Sequence, residues 1–388
     1  MAAVLLGAGT RLLHVGPHKT GTTAVQGAFH LARERLAAEG VFYPGQGRQP
    51  LWPVLAVTSQ PALLGEPSPK IGYWDRLAAS IRAAGDQRVV LSSEFFAEAD
   101  DATARRVVGD LGGDRVHVVV TLRSLTRILP SQWQQYLQNG FSFRYHEWLE
   151  GILSEPPRTP TPGFWRRHRH DALVARWAAA AGPDRLTVIV IDESDRLMLL
   201  RVFESMLGLP GGFLVPEDRA ANRSLTTAEA ELVRLLNEEF SRREWPDRSY
   251  ARFMRYGAVE HMKNARQPSP GEPRITTPSW ALDRAAAISA EMARNIGALG
   301  VRVVGDLPAL GRLPADAGPA AGTGPAAEAG PAPLVPVEAA VQAALGGFLA
   351  GGAGGQAVEE IVRDLDARSL AKVLAKRCRQ RMLRSLPR

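Results

Sequence analysis

The run Val116-His-Val-Val-Val-Thr-Leu122 limits the fold more than any other part of this chain. It is apolar at nearly every position, the pattern of a strand buried on both faces, and such strands belong to parallel sheets with helices on each side. The same theme recurs along the sequence. Leu12 to Val15, Arg88 to Glu94, Leu186 to Ile191 and Val301 to Val304 also read as strands. Between them lie helical patterns: Val25, Phe29, Leu31 and Leu36, stopped by Gly40; Trp74, Leu77 and Ile81; a stretch from Arg123 to Asn139-Gly140; Leu173 and Trp177 before Gly182-Pro183; and Leu197 to Leu207. Strand alternating with helix predicts a doubly wound parallel α/β sheet, in which ligands sit at the carboxyl ends of the strands.

Farther on, Thr226-x-x-Glu229 predicts a capping box that opens a helix with Leu232, Leu235, Leu236 and Phe240 inward, and a further helix is expected from Ser279 to Leu299. From Pro314 to Pro336 the chain is almost entirely Ala, Gly and Pro, which reads as a linker. The expected organisation is therefore an α/β domain over 1–312, a linker over 313–336, and a small, basic, helical region over 337–388.

Composition narrows the function classes. Among the 388 residues, 45% are apolar and 22% charged, a globular balance, and no apolar run approaches the roughly 18 residues of a membrane span. With no charged leader before the first apolar segment, a cytoplasmic protein is expected. The single cysteine, Cys378, removes internal disulfides and cysteine-based zinc frameworks. The net charge of +7 comes from the tail: residues 368–388 hold eight basic side chains and no acidic one, and without them the chain has 39 basic against 40 acidic residues. Nucleic acid is not an expected partner. Leu370, Val373 and Leu374 make the tail amphipathic, suited to weak contact with an acidic membrane surface or an acidic partner.

The first strand runs into His14-Val-Gly-Pro-His-Lys-Thr-Gly-Thr-Thr23. A glycine-rich turn between strand and helix presents backbone N–H groups and the positive end of the helix dipole to an anion, and phosphate is the natural guest. Gly16 and Gly21 have the spacing of the ATPase loop, but Thr22 stands where that loop has its lysine and Lys19 lies three residues earlier. The ammonium group is aimed elsewhere. Lysine is also scarce, at five of 47 basic residues.

"GPHKTGTT" resembles the 5′-phosphosulfate loop of sulfotransferases that use 3′-phosphoadenosine 5′-phosphosulfate. That family has a second signature, an arginine ending a later strand and a serine eight residues on, both on the 3′-phosphate; "TLRSLTRILPSQW" places Arg123 and Ser131 in this way. The resemblance covers roughly residues 10 to 310, with weaker agreement in "RWAAAAGPDRLTVIVIDE" and "VRVVGDL". It implies that His18, Lys19, Thr20, Gly21, Thr22 and Thr23 bind the 5′-phosphosulfate and that Lys19 stabilises the leaving phosphate. Arg123 and Ser131 would hold the 3′-phosphate, and Glu94, at the end of the strand between the two motifs, would be the base. No metal is implied. The acceptor is a hydroxyl or amine of a small molecule, glycan or lipid. In this sequence Ala24 follows the loop where many members carry an aromatic, and the R-K-G motif is missing; Arg274 is either a substitute for it or an ordinary exposed loop arginine, the second being the simpler reading. Trp133, Trp148 and Trp165 are candidates for an acceptor pocket.

Two other readings compete. "VIVIDE" is similar to the strand and acid that position magnesium in P-loop kinases and ATPases, which would make Asp192 a metal ligand. A non-catalytic nucleotide-binding scaffold that uses its tail for partners is the other.

Overall fold

The computed structural model describes residues 4–61, 67–158, 161, 163–217, 223–314 and 333–351. Most of the expected linker and all of the basic tail 368–388 lie outside the described residues. The described residues fall into two compact units. The first is drawn from Met1–Trp133, Tyr145–Arg219 and Thr276–Glu328, the second from Gln134–Arg144, Ala220–Ile275 and Ala329–Arg388.

The first unit holds a six-stranded sheet: β1 (Arg11–Val15), β2 (Val41–Phe42), β3 (Arg88–Ser93), β4 (Val116–Leu122), β5 (Leu186–Val190) and β6 (Arg302–Val304). All neighbours are parallel, in the order β2-β3-β1-β4-β5-β6. The doubly wound α/β fold expected from the sequence is therefore the fold observed. From the central strand β1 the chain goes to the edge strand β2, returns with β3 between the two, then crosses to the other side of β1 with β4. The crossover opens a switch point beside the carboxyl end of β1. Strand β2 was not anticipated, because two residues carry no period. Strand β1 starts earlier than expected, at Arg11, whose buried guanidinium donates to the carbonyls of Gly9 (2.8 Å), Gln87 (2.8 Å) and Gly85 (2.9 Å).

The pleat divides the strand residues between two cores. With helices α1 (Thr22–Leu31), α2 (Gly72–Arg82), α3 (Asp101–Leu111), α4 (Leu125–Gln138) and α5 (His170–Ala181) in chain order, Leu13, Val15, Val89, Leu91, Val118, Val120, Val188 and Val190 pack with Trp74 and Ile81 of α2, Val107 of α3 and Trp177 of α5. On the other face, Leu12, Val90, Val119 and Ile189 pack with Phe29 of α1 (Thr22–Leu31) and with Phe203 and Met206 of α6 (Met198–Leu207). Helix α4 (Leu125–Gln138) follows β4 and stops, as Asn139-Gly140 predicts, with Gly140 at φ +96°. Trp148 is buried and donates to Thr161 Oγ1 (2.9 Å), and Trp133 is buried as well, so both serve packing; Trp165 donates to the Ile152 carbonyl (2.9 Å).

In the second unit the capping box forms as read: Thr226 and Glu229 open α7 (Thr227–Arg242), and Glu229, fully buried, also accepts from Arg223 and Arg266. Residues Tyr250–Val259 are π-helical, which no sequence period announced. After α8 (Ser279–Gly297) of the first unit, the last described helix, α9 (Val337–Gly351), crosses this π-helix where glycine meets glycine. A Cβ at Gly346 would lie 2.3 Å from the Gly257 carbonyl oxygen.

Candidate functional site

Four strands of the first unit deliver the residues singled out from the sequence to one edge of the sheet. The loop Gly16 to Gly21 follows β1, Glu94 follows β3, Arg123 follows β4, and Asp192 and Glu193 follow β5 by two and three residues.

Beneath the loop, the α1/α6 face of the sheet turns polar. Leu12 is succeeded on that face by His14, Val90 by Ser92 and Val119 by Thr121, all fully buried. His14 Nδ1 lies 2.8 Å from Ser92 Oγ and Nε2 3.1 Å from Thr121 Oγ1; Thr121 Oγ1 is 3.0 Å from Thr20 Oγ1, which reaches the Pro17 carbonyl at 2.7 Å. The direction of every bond follows from the last. A carbonyl only accepts, so Thr20 donates its one proton to Pro17 and accepts from Thr121. Thr121 then accepts from His14, and His14 accepts from Ser92. Only the Nε2–H tautomer fits. Burial holds the His14 imidazole neutral, with its pKa down to about 3. Sequence reasoning missed this column. Its signal was there: one polar residue near the end of each of three apolar strands.

The column fixes the underside of the loop, and glycine makes the loop's shape possible. A Cβ at Gly16 would lie 2.0 Å from Thr22 Oγ1, whose hydroxyl donates to the Gly16 carbonyl at 3.1 Å. Gly21 sits at φ +80° with Leu199 against it. Lys19 also adopts the left-handed region, at φ +71°, a strain of about 1–2 kcal/mol for a residue with a Cβ. Among the described residues, the first backbone bond of α1 is Ala24 N–H to Gly21 O (3.0 Å). The N–H groups of Gly21, Thr22 and Thr23 precede it and point from the helix start, where they have no intrahelical acceptor. Thr20 and Thr22 have spent their hydroxyl protons inside the loop. The Thr20 backbone N–H is also committed, to the Pro17 carbonyl (3.2 Å), so of these two only Thr22 offers an anion a backbone N–H, while Thr23 is exposed at the helix start.

His18 packs edge-on against Phe95, with ring centroids 5.5 Å apart, and its Nε2 is buried with no hydrogen-bond partner among the described residues. Burial, reinforced by the Arg167 and Lys19 cations, depresses its pKa to about 3, so the ring is neutral. Arg123 donates from Nη1 to the Lys19 carbonyl (3.3 Å), joining the second predicted motif to the first. Its Nε and Nη2 grip the two oxygens of Glu193 at 2.5 and 2.8 Å. Ser131 is half-buried in α4; no hydrogen bond among the described residues joins it to Arg123 or to the loop. Glu94, half-buried, accepts from Gln26 Nε2 of α1 (3.1 Å) and Gln49 Nε2 (3.3 Å), one amide for each oxygen. Gln49 in turn accepts from Ser93 Oγ at 2.9 Å. These two glutamines are further residues that sequence reasoning missed. Asp192 turns away into its own bend, with Oδ1 accepting from the Ser194 backbone (2.9 Å) and hydroxyl (2.6 Å). Arg274 is exposed on the second unit.

The arrangement is an α/β sheet with a glycine-rich turn at its switch point, an arginine bonded to that turn, and a carboxylate clamped by two amides at the end of β3. No family model matches the chain, and no curated protein matches it. Among solved structures it is similar to a sulfotransferase from Alicyclobacillus acidocaldarius, with 15% identity and a TM-score of 0.45 over 78% of this chain and 99% of that one. So distant a likeness assigns neither residues nor a reaction. Among the described residues no helix is long and apolar enough to cross a membrane.

Proposed function

We propose that the chain is a sulfotransferase that uses 3′-phosphoadenosine 5′-phosphosulfate. The observation that carries this reading is the bond from Arg123 to the Lys19 carbonyl, which couples two anion-binding groups at one sheet edge. A nucleotide with a phosphate at each end of its ribose needs two such sites, whereas a triphosphate is served by one loop. The backbone N–H groups of Gly21, Thr22 and Thr23 hold the 5′-phosphate, and Lys19 takes up the charge that develops on it. Arg123, assisted by Ser131, holds the 3′-phosphate through the paired donors that suit phosphate oxygens. His18, neutral and with a buried Nε2 that has no partner among the described residues, adds one hydrogen bond.

In the transfer, an acceptor hydroxyl oxygen forms a bond to sulfur as the bridging S–O bond to the 5′-phosphate breaks. The hydroxyl proton goes to Glu94, and adenosine 3′,5′-bisphosphate leaves. Gln26 and Gln49 fix both oxygens of Glu94, which favours one orientation for accepting that proton. The acceptor is a hydroxyl or amine of a small molecule, glycan or lipid.

Calorimetric titration with adenosine 3′,5′-bisphosphate tests the assignment. Wild type should bind, and Arg123→Ala should weaken binding by about a hundredfold, the loss expected for a charge-assisted bidentate contact. Unchanged affinity in Arg123→Ala would sink the 3′-phosphate site. Magnesium-dependent ATP turnover, with no protection by the bisphosphate, would replace the sulfotransferase with a kinase or ATPase.

A further inference from the structure

Arg123 does not present an open fork. The edge formed by Nε and Nη2, the one that would take two phosphate oxygens side by side, is held by the two oxygens of Glu193. The remaining nitrogen, Nη1, reaches the Lys19 carbonyl at 3.3 Å. A 3′-phosphate bound to Arg123 in the same bidentate manner and the Glu193 carboxylate therefore compete for the same two donors.

The turn that carries Glu193 is set by its neighbours. Asp192 is pinned by Ser194, the Asp195 backbone donates to the Asp192 carbonyl (3.2 Å), and the Asp195 side chain accepts from the Leu197 backbone (3.2 Å) and pairs with Arg201. Of the three acids in Asp192-Glu-Ser-Asp195, two are consumed inside the turn and only Glu193 is directed at Arg123. Both partners are accessible, with side-chain exposures of 27% for Arg123 and 44% for Glu193, so solvent and salt weaken the pair and a phosphate dianion can displace it.

We infer that Glu193 is an internal competitor for the nucleotide's 3′-phosphate, a positioning residue that acts through Arg123 to limit nucleotide affinity and hasten release of the bisphosphate product. The inference rests on the donor reading above. The direction follows from the competition: removing the Glu193 charge frees the Arg123 fork and strengthens binding. Tight product binding slows turnover wherever release limits it, and a tethered carboxylate that recaptures Arg123 works against that.

The experiment compares adenosine 3′,5′-bisphosphate and adenosine 5′-monophosphate on wild type, Glu193→Gln, Arg123→Ala and the double variant, by calorimetry and stopped-flow dissociation. Glu193 is exposed and Gln is isosteric, so folding is not at issue. Glu193→Gln is expected to bind the bisphosphate about fivefold tighter through slower dissociation, the scale of one exposed ion pair, while the monophosphate stays within about twofold. The gain should vanish in the Arg123→Ala background. Unchanged or weaker bisphosphate binding by Glu193→Gln overturns the inference alone, and so does equal tightening for the monophosphate, which would be a general charge effect. A wild type that binds no bisphosphate overturns the donor reading and this inference together.

Discussion

Two sets of polar residues share the carboxyl edge of the sheet and differ in nearly everything else. The column Ser92, His14, Thr121 and Thr20 is wholly buried, uncharged, and bonded in a single direction from strand to loop. Of the rim groups, Arg123 with Glu193 and Glu94 with Gln49 are half-buried or exposed, with only Gln26 buried beneath them, and the two charged groups are held chiefly by other side chains. The contrast separates construction from chemistry. A buried polar group left without its partner costs about 1–3 kcal/mol, so the column holds one arrangement. A solvated pair exchanges partners at little cost, which is what a site that binds and releases anions requires.

The comparison breaks most sharply at Glu94. Glu94→Gln is expected to lower sulfuryl transfer by about a thousandfold, roughly 4 kcal/mol, while leaving the unfolding free energy within about 0.5 kcal/mol of wild type. A large loss of stability would move Glu94 from the rim group to the structural one. Acid acts in the opposite sense. His14 and His170 are held neutral by burial, with pKa values down to about 3 and about 4, and His168 is depressed well below its ordinary value by burial and by its His170, His18 and Arg167 neighbours. The folded state resists protons that the unfolded chain accepts below about pH 6.5, so stability present above that pH is lost as pH falls toward 4 and then 3. At pH 5.5 each of these histidines contributes a loss of roughly 1.4 kcal/mol, and His18 and His117, depressed by burial to about 3 and about 4, add to the roughly 4 kcal/mol of these three, measurable by urea unfolding at pH 7.5 and 5.5. A flat profile would mean that these rings carry charge in the fold. The smallest effect isolates the column itself. Thr121→Val keeps the shape but leaves His14 Nε2–H without an acceptor and Thr20 without a donor, so unfolding free energy should drop by about 2 kcal/mol. If the variant is as stable as wild type, the loop does not depend on the column.

Much of this architecture was legible in the residues. Val116–Leu122, the helix through Trp74, Leu77 and Ile81, and the start of the helix Thr227–Arg242 follow from apolar period and capping chemistry, which are local properties of the chain. In that last helix Phe240 is buried as expected, but Leu235 is exposed and Val233 and Asn237 face inward instead. Strand β2, at two residues, and the π-helix Tyr250–Val259 were not legible, because neither has a period that differs from its surroundings. At the site, the loop and Arg123 were readable as motifs. Gln26, Gln49 and Glu193 were not. Each lies far in sequence from the group it meets: 68 residues separate Gln26 from Glu94, 45 separate Gln49 from it, and 70 separate Glu193 from Arg123.

The parallel α/β class, the glycine-rich turn after the first strand, and the lysine set ahead of the second glycine rather than behind it were already written in the residues. These are set by side-chain period and spacing over a few residues. Which tautomer His14 carries, which amides clamp Glu94, and that Glu193 holds the Nε and Nη2 edge of Arg123 depend on the folded sheet. The reason is physical: hydrogen bonds and ion pairs act over about 3 Å, and only the folded sheet brings residues so far apart in the chain to that distance.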